Sequence, residues 1–487
     1  MDSSLNQWAR LNTETQKRIT KFQPKSKKIA NKIKISNPLT QRAEASIIGL
    51  NLLSDSISRF WKEIHIPVKK IPSSLTFNRI HQLQENLRAV PEKYYGSSFY
   101  LFSETALAEA AENFENCLPG VTPFYAIKAN DRPEILSFLA HRGWSFDAAS
   151  AAEVYKLAEL GVSGERIILA NPFKDKPTVE SILNHAVCMT TADSPEELQK
   201  LARAFANAPH QPKVLIRITL PSEGVQTDLG VKFGCPPIQA VKLLEMCLEL
   251  GLKAEGISFH VGTQSWNPEN YARHLEGAIW VLKEFAYRTG LELKLIDIGG
   301  GFPWGSADGS GPEQVMKLLN AVGEMTRLAQ AEGYVLQAQP GRVICAGAYT
   351  LVSTVIGKAN RNGRPWFYLS DGVYGAYNGV LYDHQPYLFL PVNRSIESLR
   401  ENVSESVVCG PTCDGVDIMA RDISLPEDLE VGEYLFSPDI GAYSMVAASQ
   451  FNGFAQAPIL SQANLEREIL LHIEPTEPSE LNLPLAV

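Results

Sequence analysis

The sequence predicts an α/β protein: a (β/α)8 barrel of the TIM type, an N-terminal extension before it, and a β-rich domain (a β-barrel or sandwich) after it. Eight strand-like segments alternate with helical segments over about 220 residues, which is the pattern of such a barrel. After Val343 five strand-like segments follow one another without helices between them, which indicates a separate β-rich domain: TLVSTVIGKA, WFYLSDG, LYDHQPYLFLPV (381–392), ESVVCGP and EYLFSP. An open, doubly wound parallel sheet is the alternative for the alternating part.

The eight predicted barrel strands are short runs rich in β-branched and aromatic residues. In chain order they cover 124–129, 144–149, 166–172, 187–192, 213–218, 256–261, 294–300 and 335–341. The segments between them carry apolar residues at i, i+3 and i+4 spacing and usually end at glycine, as amphipathic helices do. These segments predict a barrel over 105–345. A strand at 98–102 can pair with the strands after the barrel, so the β-domain is assigned to 89–104 and 346–487.

Residues 1–88 form the N-terminal extension, a basic tail followed by helices. Residues 1–42 hold ten lysines and arginines against two acids, a net charge of +8, which leaves −17 for the rest of the chain. An acidic body has no electrostatic reason to bind nucleic acid. The tail is expected to be a solvated segment, and a transit peptide or a site for an anionic partner are the alternatives.

Composition excludes several classes of protein. No apolar run approaches the roughly 18 residues that a membrane-spanning helix needs. The seven cysteines are odd in number and include no Cys-x-x-Cys pair, which argues against a disulfide scaffold and against structural zinc. No metal, membrane or nucleic-acid partner is therefore expected, and the cytoplasm is the default location.

Polar residues and glycines stand at the C-terminal ends of the predicted strands, which form the active-site face of a TIM-type barrel. They are Lys128, Asp147, Asn171, Arg217, His260, Gly299, Gly300, Gly301, Gln339 and, just beyond the last strand, Arg342. The apolar neighbours of Lys128 predict a buried amine with a lowered pKa, which would be available to form a Schiff base. A structural ion pair is the alternative.

The three glycines at 299–301 are a candidate anion site, since backbone N–H groups without side chains can approach a phosphate closely. A tight turn without a ligand is the alternative. Barrels often bind phosphate at the loops after strands seven and eight, and the second of those loops adds Arg342. A phosphate site beside a desolvated Lys128 suggests pyridoxal 5'-phosphate (PLP). His260 would then stack on the cofactor ring, unless it is a core histidine.

The predicted β-domain has candidate residues of its own. Cys413 and Asp414 lie between turn-forming residues, where a thiol beside a carboxylate can be exposed, although most cysteines are buried and inert. The segment DGVYGAYNGVLYDH is rich in Tyr, Asn and Asp for a loop and contains Tyr382 and Asp383. Tyr443 lies in the short segment GAYS.

A dozen motifs follow one another in a recognisable order: FYAIKAN, FDAAS, ANPFK, VKFG, FHVGTQ, IDIGGGFP, QPGR, SDGVYGAYN, LYDH, GPTCDG, GAYS and FNGF. On these motifs the chain, from about residue 95 to 456, resembles the ornithine/diaminopimelate/arginine decarboxylase family of barrel-type (fold type III) PLP enzymes. It is most similar to the ornithine decarboxylase branch. The ordered set is far more specific than any one of its members.

The resemblance implies a role for each matching residue. Lys128 would form the Schiff base and His260 would stack on the ring. The other cofactor contacts would come from Asp147, Arg217, Thr263, Gly299, Gly300, Gly301, Gln339, Arg342 and Tyr443. Cys413 would govern protonation at Cα after carbon dioxide leaves.

The substrate site is implied in the same way. Tyr382, Asp383 and Asp414 would contact the substrate, and the two carboxylates would receive its distal amine. In this family the active site forms between two subunits, so the resemblance also implies a homodimer in which the partner provides the loop of Cys413 and Asp414. The implied reaction is decarboxylation of a basic amino acid, ornithine or lysine, to a diamine. Arginine is the alternative, since its guanidinium could also meet two carboxylates. Diaminopimelate is disfavoured because no cation near Asp414 would meet its distal carboxylate.

One position departs from the family's pattern. The family places Glu-Pro-Gly-Arg where this chain has Gln339-Pro340-Gly341-Arg342, and the glutamate pairs with the pyridine nitrogen of the cofactor. A neutral amide does not enforce protonation of that nitrogen, so we expect a weaker electron sink. The alternatives are therefore a slower decarboxylase, a different outcome at Cα such as racemisation or decarboxylation-coupled oxidation, and a non-catalytic regulatory relative.

Overall fold

The computed structural model describes residues 74–90, 92–305, 311–394 and 403–464. The predicted basic tail at 1–42 lies outside these residues. The first described elements are helix α1 (Ser74–Arg88) and strand β1 (Phe99–Phe102). None of the helices in the described ranges is long and apolar enough to cross a membrane.

Eight parallel strands then close into a barrel, in chain order, with the last strand paired to the first. They are β2 (Val121–Ala126), β3 (Ser145–Ala148), β4 (Ile167–Leu169), β5 (Met189–Ala192), β6 (Lys213–Ile218), β7 (Lys253–Phe259), β8 (Leu295–Asp297) and β9 (Val335–Ala338). The strands are apolar along most of their length because helices cover the outside and side chains fill the inside. Closure between β9 and β2 confirms the predicted (β/α)8 barrel and rejects the open sheet.

The helices of the barrel surround these strands. They are α2 (Glu104–Cys117), α3 (Pro133–His141), α4 (Ala151–Glu159), α5 (Lys176–Asn184), α6 (Pro195–Phe205), α7 (Pro237–Glu249), α8 (Pro268–Thr289) and α9 (Gly311–Ala331). Side chains of Ser103, Ser150, Asp175, Ser194 and Asn267 accept backbone N–H bonds at the starts of five of them. These caps fix where each strand-to-helix loop ends.

The chain continues into a β-rich domain after a short helix, α10 (Arg342–Cys345). Its elements are β10 (Tyr349–Arg361), β11 (Arg364–Leu369), α11 (Gly379–Tyr382), β12 (Leu390–Pro391), β13 (Val403–Cys409), β14 (Ile418–Pro426), β15 (Tyr434–Ser437) and β16 (Ile459–Ser461). The described strands form one mixed sheet in the order β12-β15-β10-β11-β13-β14, and β1 joins it between β10 and β16. As predicted, the strand before the barrel pairs with this domain, with Phe99 opposite Val352.

Two details of the β-domain differ from the sequence-based expectation. The segment 381–392 resembled one long strand, but only Leu390 and Pro391 pair, and its start belongs to α11. His384 has a positive φ of 47° and is followed closely by Pro386, which cannot donate to a ladder. Strand β14 was not predicted, because its charged residues interrupt the apolar alternation.

Helix α1 packs on the β-domain. Leu87 and Val90 join a buried cluster with Phe99 and other side chains of the sheet. Gln84 Nε2 donates to the carbonyl of Pro391 at 2.7 Å, and Arg79 Nη2 lies 2.7 Å from Asp439 Oδ1. The last turns of the segment assigned to the N-terminal extension are thus integrated with the sheet.

Leu87→Ala is expected to lower the free energy of unfolding by about 2–5 kcal/mol, because truncation of a fully buried leucine leaves a cavity. Gln82→Ala, on the exposed side of the same helix, is the control and should change it by less than about 0.5 kcal/mol. Urea unfolding of both variants measures the difference. Equal, small effects would show that α1 contributes nothing to the core of the β-domain.

Candidate active site

A cavity opens at the C-terminal ends of the barrel strands. Its lining is drawn from the ends of β2, β7, β8 and β9 together with one residue of the β-domain. The lining residues are Ala126, Lys128, His260, Thr263, Gln264, Gly300, Gly301, Phe302, Gln339, Gly341, Arg342 and Tyr443. Eight of the residues predicted to bind the cofactor therefore lie around one cavity.

Lys128 follows β2 on a short 3-10 turn and borders the cavity, so its side chain keeps 43% of its accessible surface. Its Nζ lies 3.4 Å from Oδ2 of Asp147 on β3, whose side chain is only 3% exposed. Burial lowers the pKa of Lys128, but the negative charge of Asp147 opposes this effect, and the net pKa is raised. The expectation of a lowered pKa is therefore wrong. The predicted burial is only partial, and the carboxylate that raises the Lys128 pKa comes from the next strand.

Two further predicted residues lie behind this pair. Arg217 on β6 places its guanidinium carbon 5.2 Å from the ring centre of Phe233, and burial lowers the Arg217 pKa. Asn171 donates weakly to the carbonyl of Ala149 at 3.4 Å. Neither belongs to the cavity lining.

His260 follows β7 and presents a neutral ring to the cavity. Burial lowers its pKa well below the ordinary histidine value, and the positive charges of Arg217 and Lys128 lower it further. Its Nδ1 accepts a hydrogen bond from the backbone N–H of Gly262 at 3.1 Å, which places the ring proton on Nε2. A neutral imidazole is an aromatic surface on which a flat ligand can stack.

The glycine loop after β8 packs tightly against its neighbours. Gly299 and Gly301 have φ values of +62° and +92°, and a Cβ at either position would collide with a backbone carbonyl. A Cβ on Gly300 would come within 2.7 Å of the Gln339 carbonyl oxygen. Only glycine satisfies these positions, so bare backbone borders the cavity and forms a cradle suited to a phosphate.

Arg342 provides the positive charge beside this loop. Its guanidinium carbon lies 4.8 Å from the ring centre of Tyr443, and Tyr443 is anchored by a 2.7 Å hydrogen bond from its backbone N–H to the carbonyl of Ala129. The guanidinium forms an ion pair with Asp383. The carboxylate predicted to bind substrate thus lies on the cation predicted to bind phosphate.

Asp297, at the end of β8, is a residue that the sequence reasoning missed. Its carboxylate is fully buried and accepts N–H bonds from Gln337 and Gln339 on one oxygen (2.7 and 2.8 Å) and from Gly299 on the other (2.8 Å). Burial raises the Asp297 pKa to about 6. The signal in the sequence was an acidic residue two positions before the glycine loop.

Cys413, Asp414 and Tyr382, which were also predicted as site residues, lie outside the cavity lining as well. Cys413 is exposed and makes a weak contact through Sγ with Asn452 Oδ1 at 3.4 Å. Asp414 accepts a hydrogen bond from the hydroxyl of Tyr374, and the Tyr382 side chain is 70% exposed. Within one chain these residues do not join the group around Lys128. In the described residues, no cluster of three or more His, Cys, Asp or Glu side chains is placed to hold a metal ion.

Comparisons with known proteins show the family of this chain. The family described as "Pyridoxal-dependent decarboxylase, pyridoxal binding domain" matches residues 104–346. The lysine/ornithine decarboxylase of Selenomonas ruminantium is 38% identical over 364 residues, which cover 74% of this chain and 88% of that protein. Antizyme inhibitor 2 of Xenopus laevis is 33% identical over 390 residues, which cover 77% of this chain and 83% of that protein.

A solved structure has the same fold. The lysine/ornithine decarboxylase of Vibrio vulnificus, complexed with cadaverine, aligns with a TM-score of 0.69 and 30% identity. The alignment covers 78% of this chain and 98% of that one.

Gly301→Ala is expected to weaken PLP binding at least about tenfold, the equivalent of 1.4 kcal/mol of lost cofactor contacts, because the loop must move away from the Gly262 carbonyl. Gly333→Ala is the matched control, since Gly333 has a similar φ of +90° with nothing within 4 Å of its added Cβ. Both variants carry the backbone strain of the left-handed region, and only the first disturbs the cradle. Titration of each variant with PLP, followed by absorbance, compares them. Equal affinities of the two variants for PLP would show that the glycine loop does not contribute to PLP binding.

Proposed function

Because the chain belongs to the family of pyridoxal-dependent decarboxylases, and is thus a PLP-dependent decarboxylase of a basic amino acid, we propose that its reaction takes place in the cavity between Lys128 and Arg342. The observation that carries this proposal is that a lysine amine, a neutral histidine ring, a side-chain-free glycine loop and an arginine line one cavity. The lysine amine would hold an aldehyde, the histidine ring would support a flat ring, and the glycine loop and the arginine would together hold a phosphate.

The residues present fit the cofactor. Arg342, the glycine loop, Thr263 and Tyr443 would hold the phosphate, and His260 would support the ring. When bound, PLP accepts the electron pair that remains on Cα after the bond to the carboxylate breaks. The protein's part is to hold the ring, the amino group and the scissile carboxylate in register and to keep water out.

Asp147 has a defined part in this arrangement. Its carboxylate holds the Lys128 ammonium near the end of β2 and keeps it protonated. Lys128 must lose this proton before Nζ can act as a nucleophile. We infer that Asp147 orients the amine and sets the pH at which the site becomes competent.

The substrate proposed is lysine or ornithine. The names of relatives include both, and the Vibrio vulnificus structure contains cadaverine, the diamine that corresponds to lysine. Asp383 would bind the distal ammonium, but in this structure it neutralises Arg342. A dianionic phosphate beside Arg342 would neutralise the guanidinium in place of Asp383. Phosphate binding would therefore free Asp383 for the substrate.

We also propose a homodimer with shared active sites. Cys413 and Asp414 carry the roles implied for protonation at Cα and for the distal amine, yet they lie outside the Lys128 cavity of their own chain. Exposed apolar side chains lie near these two residues. Val416 follows Asp414 closely in the sequence, and Phe451 and Phe454 lie beside Asn452, whose side chain contacts Cys413. A surface that faces a partner subunit would carry such side chains. The loop of the partner subunit would complete each site.

We also propose a cytoplasmic location. All seven cysteines are unpaired, and five of them are buried. Unpaired thiols are typical of proteins that work in a reducing compartment.

Lys128→Ala is expected to abolish the visible absorbance of bound PLP and the release of carbon dioxide from lysine and ornithine. Lys176→Ala, which removes an 87% exposed lysine, is the control and should leave both unchanged. Chiral analysis of the amino acid that remains separates decarboxylation from racemisation. A wild-type protein that binds no PLP would favour a regulatory relative and overturn the assignment to this cavity.

Shared sites predict complementation between inactive chains. Mixed Lys128→Ala and Cys413→Ala chains should recover about a quarter of wild-type activity, since half of the random dimers contain both variants and each of these has one intact site. Lys128→Ala mixed with the Lys128→Ala/Cys413→Ala double variant is the control, because no pairing of these chains restores a site. No recovery in the first mixture would show that each active site is built from a single chain.

A further inference from the structure

Gln339 and Asp297 form a buried unit that the proposed mechanism has not used. Gln339 lines the cavity at the position where the family's pattern has glutamate. Asp297 lies directly behind it, with its Oδ2 2.8 Å from Gln339 Nε2. Position 339 has no carboxylate, but the residue that lies behind Gln339 in the barrel has one.

The hydrogen bonds around Asp297 indicate that it is an anion. Three N–H groups, from Gln337, Gln339 and the backbone of Gly299, donate to it and engage both of its oxygens. Donors on both oxygens stabilise the charged form and leave little room for a carboxyl proton. Burial raises the Asp297 pKa, but only to about 6, so the group is ionised at neutral pH.

This anion fixes the orientation of the Gln339 amide. Rotating the amide by 180° would place Oε1 against a carboxylate oxygen, and two acceptors would then face each other. The bonded orientation keeps Nε2 on Asp297 and turns Oε1 away from it. The acceptor end of the amide is therefore the end available to a ligand in the cavity.

We propose that Asp297 is a positioning residue that makes Gln339 an obligate hydrogen-bond acceptor for the pyridine nitrogen of PLP, and that this pair keeps the nitrogen protonated. The inference rests on the proposed cofactor site. An acceptor at that point is satisfied only by an N–H on the ring, since an unprotonated nitrogen would leave two acceptors facing each other. The negative charge of Asp297 favours the same state through the amide. Replacement of glutamate by Gln339 therefore preserves ring protonation, contrary to the expectation from the sequence.

The pair also determines what an acid at position 339 would meet in this chain. Gln339→Glu alone would set two carboxylates at the distance of the present 2.8 Å hydrogen bond, and neighbouring like charges raise the pKa of one of them. Exchanging the two groups, with Asp297→Asn and Gln339→Glu together, restores one acid and one amide. The double variant keeps one negative charge in the pair and moves it to position 339. It therefore tests whether the charge matters regardless of which residue carries it.

The experiment is ¹⁵N NMR of the holoenzyme, reconstituted with PLP labelled at the pyridine nitrogen, combined with decarboxylation kinetics. Wild type should give the signal of a protonated nitrogen, and Asp297→Asn should shift it towards that of a free pyridine. The kcat of Asp297→Asn should fall about 10- to 100-fold, the range for residues that orient a ligand from behind. The exchanged double variant should recover the protonated signal and most of the activity. Gln239→Met, the same kind of change at an exposed glutamine of α7, is the control and should keep the wild-type signal.

A second variant guards against misfolding of Asp297→Asn. Gln339→Met keeps the buried anion and removes the amide, and it should give the free-pyridine signal. An active wild type with an unprotonated nitrogen would overturn the inference and leave the proposed function intact. A protonated signal in both Asp297→Asn and Gln339→Met would also overturn it, and any loss of activity would then be structural. A wild type that takes up no labelled PLP would overturn the proposed site as well.

Discussion

The close approach of the glycine loop to the ends of β7 and β9 is the constraint on which the rest of the site depends. Residues 299–301 follow β8 with so little clearance that a Cβ at any of them would meet a backbone carbonyl at under 3 Å. The loop therefore has one position, and that position is set by barrel closure. Because His260 follows β7 and Gln339 follows β9, their places relative to the loop are set by the same closure. The barrel thus fixes together the places of the proposed ring support, the proposed phosphate cradle and the proposed partner of the ring nitrogen.

The β-domain completes this arrangement from outside the barrel. The backbone of Tyr443 is bonded to Ala129, next to Lys128, and its ring lies against the guanidinium of Arg342. Asp383 reaches the same guanidinium from the segment after α11. The cation is therefore held between two groups of the β-domain, so a change in how that domain packs would change the phosphate end of the cavity. The cavity proposed as the active site is therefore built from both domains of one chain.

The sequence predicted those features that depend on local pattern. Strand and helix alternation located all eight barrel strands, because buried parallel strands are short apolar runs and the helices have a separate periodicity. The glycine loop, Lys128 and Arg342 were found because strand ends converge in a barrel. The pKa of Lys128 was mispredicted because its partner Asp147 lies 19 residues away on another strand. Asp297 was missed because a single acid at a strand end gives no sign that two glutamines from β9 and its end will enclose it.

In the role proposed for it, the buried Asp297 would act on the cofactor from a distance. A carboxylate in direct contact with a ring nitrogen stabilises the protonated ring most strongly, and moving it behind an amide weakens the Coulomb attraction as the separation grows. The low polarisability of the surroundings preserves part of that attraction, and the amide transmits a preference of hydrogen-bond direction as well as charge. A protonated ring with a weaker counter-charge remains an electron sink, but a less stabilised one. The position of one acid would therefore adjust how firmly electrons are held at the cofactor, with the barrel, the cradle and the lysine unchanged.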